Sequence, residues 1–208
     1  MSTNQKMADF GPADFTREQQ LYDSGSWPVV GIDEAGRGPL AGPVSAAAVI
    51  LDPSAIPEGL ADSKTLSRAT RERLYVEILH SAIAVGVGLA SAAEIDRVNI
   101  RQATFLAMRR ACKALSAAPA FALVDGRDIP PGMPCQARAL IKGDALSVSI
   151  AAASIIAKVT RDRLMVQLAR QHPEYGFDQH MGYPTAFHRA ALTVHGPCPF
   201  HRLTFGAI

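Results

Sequence analysis

The stretch Val29–Val44, V-V-G-I-D-E-A-G-R-G-P-L-A-G-P-V, sets the terms for the rest of the chain. Val29, Val30 and Ile32 form a short apolar run of strand character, and the run ends on two adjacent carboxylates, Asp33 and Glu34. Gly36, Gly38, Pro39, Gly42 and Pro43 follow, which is turn chemistry. Neighbouring side chains on a regular strand point to opposite faces. Convergence of Asp33 and Glu34 on one site therefore requires the strand to stop there, and the glycines predict that it does. Carboxylates at the end of a buried strand, beside bare backbone, suit a hard cation and a phosphate together. A glycine-rich loop carrying a solvated acid pair is the plainer alternative.

Outward from this stretch, Val44–Leu51 reads as a second strand, apolar throughout and so buried on both faces. Upstream, Thr16–Ser24 suits a short helix, and residues 1–14 are expected to form a disordered leader. Downstream, Ser67 is a candidate N-cap for a helix to about His80, with Leu74, Tyr75, Ile78 and Leu79 on its apolar face and Arg68, Arg71 and Arg73 on a solvated one. Ala84–Ala90 alternates Val85, Val87 and Leu89 against Ala84, Gly86 and Gly88, a strand with one face kept small for close packing. Ser91 and Glu94 make a capping-box pair opening a helical region that breaks near Asn99 and runs to about Leu115. Phe121–Asp125 and Ala137–Lys142 are two more strands, and Ser147–Gln171 is a long helix rich in small residues in its first half. A final helix is expected to end near His195.

Three of these apolar strands end in acid beside glycine: Asp33-Glu34, Asp125-Gly126 and Gly143-Asp144. In α/β sheets, residues beyond strand ends line the functional crevice. Four carboxylates meeting there repel one another unless divalent cations neutralise them, which is the demand of two-metal hydrolysis. A turn residue or helix N-cap is the ordinary alternative for each acid taken singly, Asp144 above all. The bulk properties agree with a soluble globular protein: 208 residues, 48% hydrophobic, 19% charged and a net charge of +2, which permits nucleic-acid binding without demanding it. No signal peptide or membrane-length apolar run is present, and three widely spaced cysteines make no disulfide framework, so a cytoplasmic address is expected. His195-x-x-Cys198-x-x-His201 has a spacing that could bind zinc, but shows only three ligands in a proline-stiffened loop.

The chain resembles the type 2 ribonucleases H, in their bacterial ribonuclease HII branch. The resemblance is carried by G-I-D-E-A-G-R-G-P-L-A-G-P at 31–43, D-S-K at 62–64, V-D-G at 124–126, K-G-D at 142–144, A-A-A-S-I-I-A-K at 151–158, H-M-G-Y-P-T at 180–185 and H-R-L-T-F at 201–205. It implies an α/β ribonuclease H-like fold over residues 15–208, with a mixed five-stranded sheet flanked by helices and a helical C-terminal tail. It implies Mg²⁺- or Mn²⁺-dependent cleavage of the RNA strand of RNA–DNA hybrids, and cutting 5′ of ribonucleotides embedded in duplex DNA to leave 3′-OH and 5′-phosphate ends. By position, Asp33, Glu34, Asp125 and Asp144 fall on the family's catalytic, metal-binding carboxylates. Gly36-Arg37-Gly38 falls on the loop that reads the ribose 2′-hydroxyl, and Tyr183 on the tyrosine that checks the adjoining deoxynucleotide. Lys64, Lys142 and Lys158 neighbour the motifs and are expected phosphate contacts or charge balance for the carboxylates, with ordinary solvated lysines as the alternative. A monomer without a protein partner is expected. Another ribonuclease H-like nuclease, the ribonuclease HIII branch and a non-catalytic hybrid-binding module are the competing readings.

Overall fold

The structure, a computed structural model, describes residues 13–206. In chain order it runs α1 (Thr16–Asp23), β1 (Val29–Ala35), β2 (Val44–Ile50), α2 (Arg68–Ser81) and β3 (Ala84–Ala90). These are followed by α3 (Ala92–Val98), α4 (Ile100–Lys113), β4 (Phe121–Asp125), β5 (Gln136–Leu140), α5 (Val148–Gln171), α6 (Phe177–His180) and α7 (Ala186–His195). The strands form one mixed sheet in the order β3-β2-β1-β4-β5. β1, β2 and β3 pair antiparallel, while β1 with β4 and β4 with β5 pair parallel.

All seven residues of β2 are buried because helices cover both faces of the sheet. The period-two alternation of a strand divides them. Ala46, Ala48 and Ile50 join Val30, Ile32 and Val124 in a core with Ala103, Ala107, Met108 and Ala111 of α4. Ala47 and Val49 join Leu74 and Ile78 of α2 and Ala151, Ala152 and Ile155 of α5 on the other face. The small face expected of β3 is used for close approach: a methyl group at Gly86 or Gly88 would run into the carbonyls of Ala111 and Ala107 in α4. Gly31 does the same for β1, where a side chain would meet the backbone of Ser149 and Ile150 in α5.

Local signals start the helices as expected. Ser67 accepts from Thr70 N at the head of α2, and the Ser91–Glu94 capping box opens α3. Asn99, at a positive φ of 66°, separates α3 from α4 and caps the latter through Gln102 N. The N-terminus of α5 is pinned by buried Glu18 of α1, which accepts from Ser149 N at 3.0 Å. Of the expected leader, residues 1–12 lie outside the described residues, while the Asp14 carbonyl accepts from Val148 N at 3.2 Å.

Four expectations need correction. β1 does not stop at the acid pair: its ladder with β2 continues through Asp33↔Ala47 and Glu34↔Ala46 to Ala35↔Ser45. β5 ends at Leu140, and Lys142 takes a left-handed conformation (φ 57°) that turns the chain into a 3-10 segment, Gly143–Ala145. Leu79 is 47% exposed, because α2 meets the core through the narrower stripe of Leu74 and Ile78. Arg71 is no solvated arginine, since its guanidinium donates to the Ser63 carbonyl at 2.8 Å and folds the 62–66 loop onto α2.

Candidate active site

The parallel ladder between β1 and β4 stops at Ile32↔Val124, one residue short of Asp33 and Asp125, while β2 still holds β1 from the other side. The acids converge in that gap. Asp33, Glu34 and Asp125 each offer an oxygen within 4.8 Å of the others, so adjacency on the strand does not keep Asp33 and Glu34 apart. The Asp33 carboxylate also accepts from Glu34 N at 2.7 Å, which turns it along the chain. Asp125 accepts from Gly143 N at 2.7 Å, so the turn after β5 is tied to the end of β4. That turn presents Asp144, which lies outside the trio and stands close enough to Asp62 and Asp125 to feel their charge.

Burial and mutual repulsion push these acids in one direction. Asp33 is held well above the usual carboxylate range by burial first, then by Glu34, Asp125 and Asp144. Burial raises Glu34 against the pull of Arg37, whose guanidinium stands 3.4 Å away. Asp144 is pushed up to about 6 by burial, Asp62 and Asp125, with Lys64 opposing. Lys64 answers in kind: burial pulls its ammonium down, but Asp62, Asp33, Asp144 and Asp125 raise it overall. An all-oxygen donor set that resists ionising together is what a hard divalent cation relieves, and the residues present fit such an ion.

Beside the acids lies a cavity of about 270 Å³ lined by Glu34, the Gly36–Gly38 loop, Ser63, Lys64, Ser154, Lys158, Arg161 and Tyr183. The expected loop and tyrosine meet here, since a methyl group on Gly38 would stand 3.7 Å from Tyr183 Cε1. Lys158 is tied to Asp162 at 2.8 Å. Lys142 is exposed on its left-handed turn and is not among the cavity's lining residues.

Two buried arginines, missed by sequence reasoning, hold the loop in place. Arg202 donates to the carbonyls of Gly36 (2.6 Å), Arg37 (2.9 Å) and Gly42 (2.9 and 3.0 Å). Arg161 of α5 donates to Ala41 (3.0 Å), Pro43 (3.0 Å) and Met181 (2.9 Å). Leu40 N donates to the Gly182 carbonyl at 2.8 Å, joining the loop to the G-Y-P-T turn. Only membership of the H-R-L-T-F segment marked Arg202 beforehand, and nothing distinguished Arg161 from a solvated arginine. Asp62 lies inside the D-S-K motif, in which the sequence singles out Lys64 alone. His195, Cys198 and His201 do not share a ligand position: His195 is exposed, and both ring nitrogens of His201 are engaged, by Cys198 N at 2.9 Å and by His188 at 3.0 Å.

The family model described as ribonuclease HII matches residues 30–208. The chain belongs to the ribonuclease HII family. A ribonuclease HII of Mesorhizobium japonicum is 58% identical over 193 residues, covering 92% of this chain and 84% of that one. Among solved structures, the ribonuclease H2 of Pyrococcus horikoshii superposes with a TM-score of 0.71 at 29% identity, over 86% of this chain and 94% of that one. Bst-RNase HIII, solved in complex with Mn²⁺, shares the fold at a TM-score of 0.68 and 22% identity, over 88% of this chain and 68% of that one. The protein is thus a ribonuclease H enzyme with the ribonuclease H-like fold that its resemblance implied.

Proposed function

We propose that this ribonuclease HII hydrolyses the RNA strand of RNA–DNA hybrids and also cuts on the 5′ side of a single ribonucleotide embedded in duplex DNA, leaving 3′-OH and 5′-phosphate ends. One observation carries the reading: Glu34, which belongs to the acid cluster, lines one cavity together with the Gly36–Gly38 loop and Tyr183. Asp33, Glu34 and Asp125 are the residues to hold Mg²⁺ or Mn²⁺, with Asp144 completing a second position. Bound there, the ions supply Lewis-acid activation of a water and stabilisation of the leaving oxygen.

The rest falls to the chain's own groups. Arg202 occupies the carbonyls of Gly36 and Arg37, which leaves the loop's amides to face a ribose 2′-hydroxyl at a position where no side chain intervenes. The Tyr183 ring, 45% exposed, covers the neighbouring sugar and selects a deoxynucleotide by stacking against it. Lys64 contacts substrate phosphate. A DNA duplex containing one ribonucleotide, incubated with Mg²⁺ or Mn²⁺, is expected to be cut once, 5′ of that residue, while the all-DNA duplex stays intact. Asp125→Asn is expected to abolish the cut and to keep duplex binding. Comparable cutting of all-DNA duplex, or a near-normal rate in Asp125→Asn, removes the assignment.

A further inference from the structure

We propose that His188 and His201 are positioning residues for Tyr183, acting as a buried chain of two neutral imidazoles that ends on the Tyr183 carbonyl. The proposal rests on the reading of Tyr183 as the group that selects embedded ribonucleotides.

The direction of every bond in the chain is forced from its far end. The backbone N–H of Cys198 donates to His201 Nδ1 at 2.9 Å, so that nitrogen is bare. Neutral His201 then carries its proton on Nε2, which lies 3.0 Å from His188 Nε2. His188 Nε2 must accept, which leaves its own proton on Nδ1, 2.9 Å from the Tyr183 carbonyl. Both rings are buried, at 0% and 2% exposure. Burial, with His188 alongside, holds His201 down to about 4, and burial lowers His188 as well, so both stay neutral.

The segment they hold needs holding. Met181 and Gly182 both adopt left-handed conformations, at φ 51° and 82°, immediately before Tyr183. A third imidazole clasps the other side of the turn. His180 Nδ1 accepts from Gly182 N at 3.1 Å, its Nε2 faces the Tyr175 carbonyl at 2.7 Å, and its ring stacks on His188 with centroids 4.5 Å apart. Among the described residues the Tyr183 carbonyl otherwise takes only the short-range bond from Thr185 N at 2.8 Å. The ring that faces substrate is therefore set in place by groups the substrate never meets.

Two near-isosteric variants separate positioning from filling space. In His188→Asn the amide nitrogen replaces Nδ1 and still donates to the Tyr183 carbonyl. In His188→Gln the amide reaches toward His201 and leaves that carbonyl without its donor, although Gln is nearer to His in size. The readout is the ratio of kcat/KM on a single embedded ribonucleotide to kcat/KM on a long RNA–DNA hybrid. We expect His188→Gln to lower that ratio about tenfold and His188→Asn to stay within about twofold of wild type. The reverse ranking, which size alone predicts, overturns the proposal. Nitrogen-15 NMR of the unaltered protein supplies a test independent of the variants' folding: His201 must show the Nε2–H tautomer and His188 the Nδ1–H tautomer, and any other assignment overturns it. Tyr183→Ala run in parallel tells the two readings apart. An unchanged ratio there removes Tyr183's selecting role, and this inference with it. A lowered ratio in Tyr183→Ala with wild-type ratios in both His188 variants removes the histidine chain alone.

Discussion

Asp144, 8% exposed and close to Asp62 and Asp125, holds its proton up to about 6 against an ordinary value of 3.8. The folded protein therefore binds this proton more tightly than the unfolded chain does. Below 3.8 both states carry the proton and the stabilisation is fully present; it is lost as pH rises from 3.8 to about 6, and this group's contribution is flat above. A shift of this size corresponds to about 3 kcal/mol. Thermal melts of the metal-free protein in chelator should thus show wild-type Tm losing ground relative to Asp144→Asn across that window, while His201, held down to about 4, pulls the other way equally in both proteins. Asp33 is shifted in the same direction as Asp144. A constant Tm difference between wild type and Asp144→Asn across the window would show that Asp144 does not titrate there. Asp144 itself was legible in the sequence, because it stands beside glycine after an apolar run. Its partner was not. Asp62 also accepts from Lys64 N at 2.9 Å, the ordinary work of a turn aspartate, and sequence shows only that half of its role.

Elements were legible where a local rule decides them: the capping box at Ser91, the break at Asn99, and the glycines of β3 that meet α4. They were misread where a partner strand decides. Stopping β1 at the acids was one way for adjacent side chains to converge, but the ladder ends on the β4 side alone, and which neighbour lets go is a tertiary fact. The Gly36–Gly38 loop belongs to the same class, since its shape is imposed from outside by Arg202. That guanidinium is wholly buried, and its pKa is lowered to about 9, by burial first and then by neighbouring Arg161. A buried charge is costly, but four hydrogen bonds to three carbonyls offset the cost, and truncation would orphan those carbonyls. Arg202→Met should destabilise the protein by about 3 kcal/mol and raise KM for ribonucleotide-containing duplex. Arg202→Lys should not rescue it, because a single ammonium cannot span three carbonyls. Denaturant unfolding checks the stability, and faster hydrogen exchange at Gly36–Gly42 amides checks the cause. Wild-type exchange in both variants would show that the loop holds its own shape.

At the scale of the molecule, three segments distant in the chain close around the site. Leu40 N donates to the Gly182 carbonyl, Gly42 N to Phe200 and Arg202 N to Leu40, each at 2.8 Å. The motifs at 31–43, 180–185 and 201–205 thus form one body beside the sheet. The overall charge of +2 is too small to steer a polyanion by itself, so binding must depend on which cations face the cavity. Lys158 is paired with Asp162 at 2.8 Å, and Arg37 leans on Glu34 at 3.4 Å. Lys64, raised by four carboxylates, is the cation that balances the acids and the one we assign to substrate phosphate. Divalent cations held by the acids would neutralise them and leave the Lys64 charge available to the duplex. Each phosphate contact displaces condensed counterions, so affinity falls with salt at a slope set by the number of contacts. Measured in an Asp125→Asn background, where binding proceeds without cutting, Lys64→Ala should reduce the slope of log K against log salt by about 1. The loss should be the same for hybrid, ribonucleotide-containing and all-DNA duplexes, because a phosphate carries no information about its sugar. That uniformity separates Lys64 from Tyr183, whose loss is expected to fall on the embedded ribonucleotide. A wild-type salt slope in Lys64→Ala would confine the lysine to balancing carboxylates, and the same variant should then register only as a further rise in the pKa of Asp144.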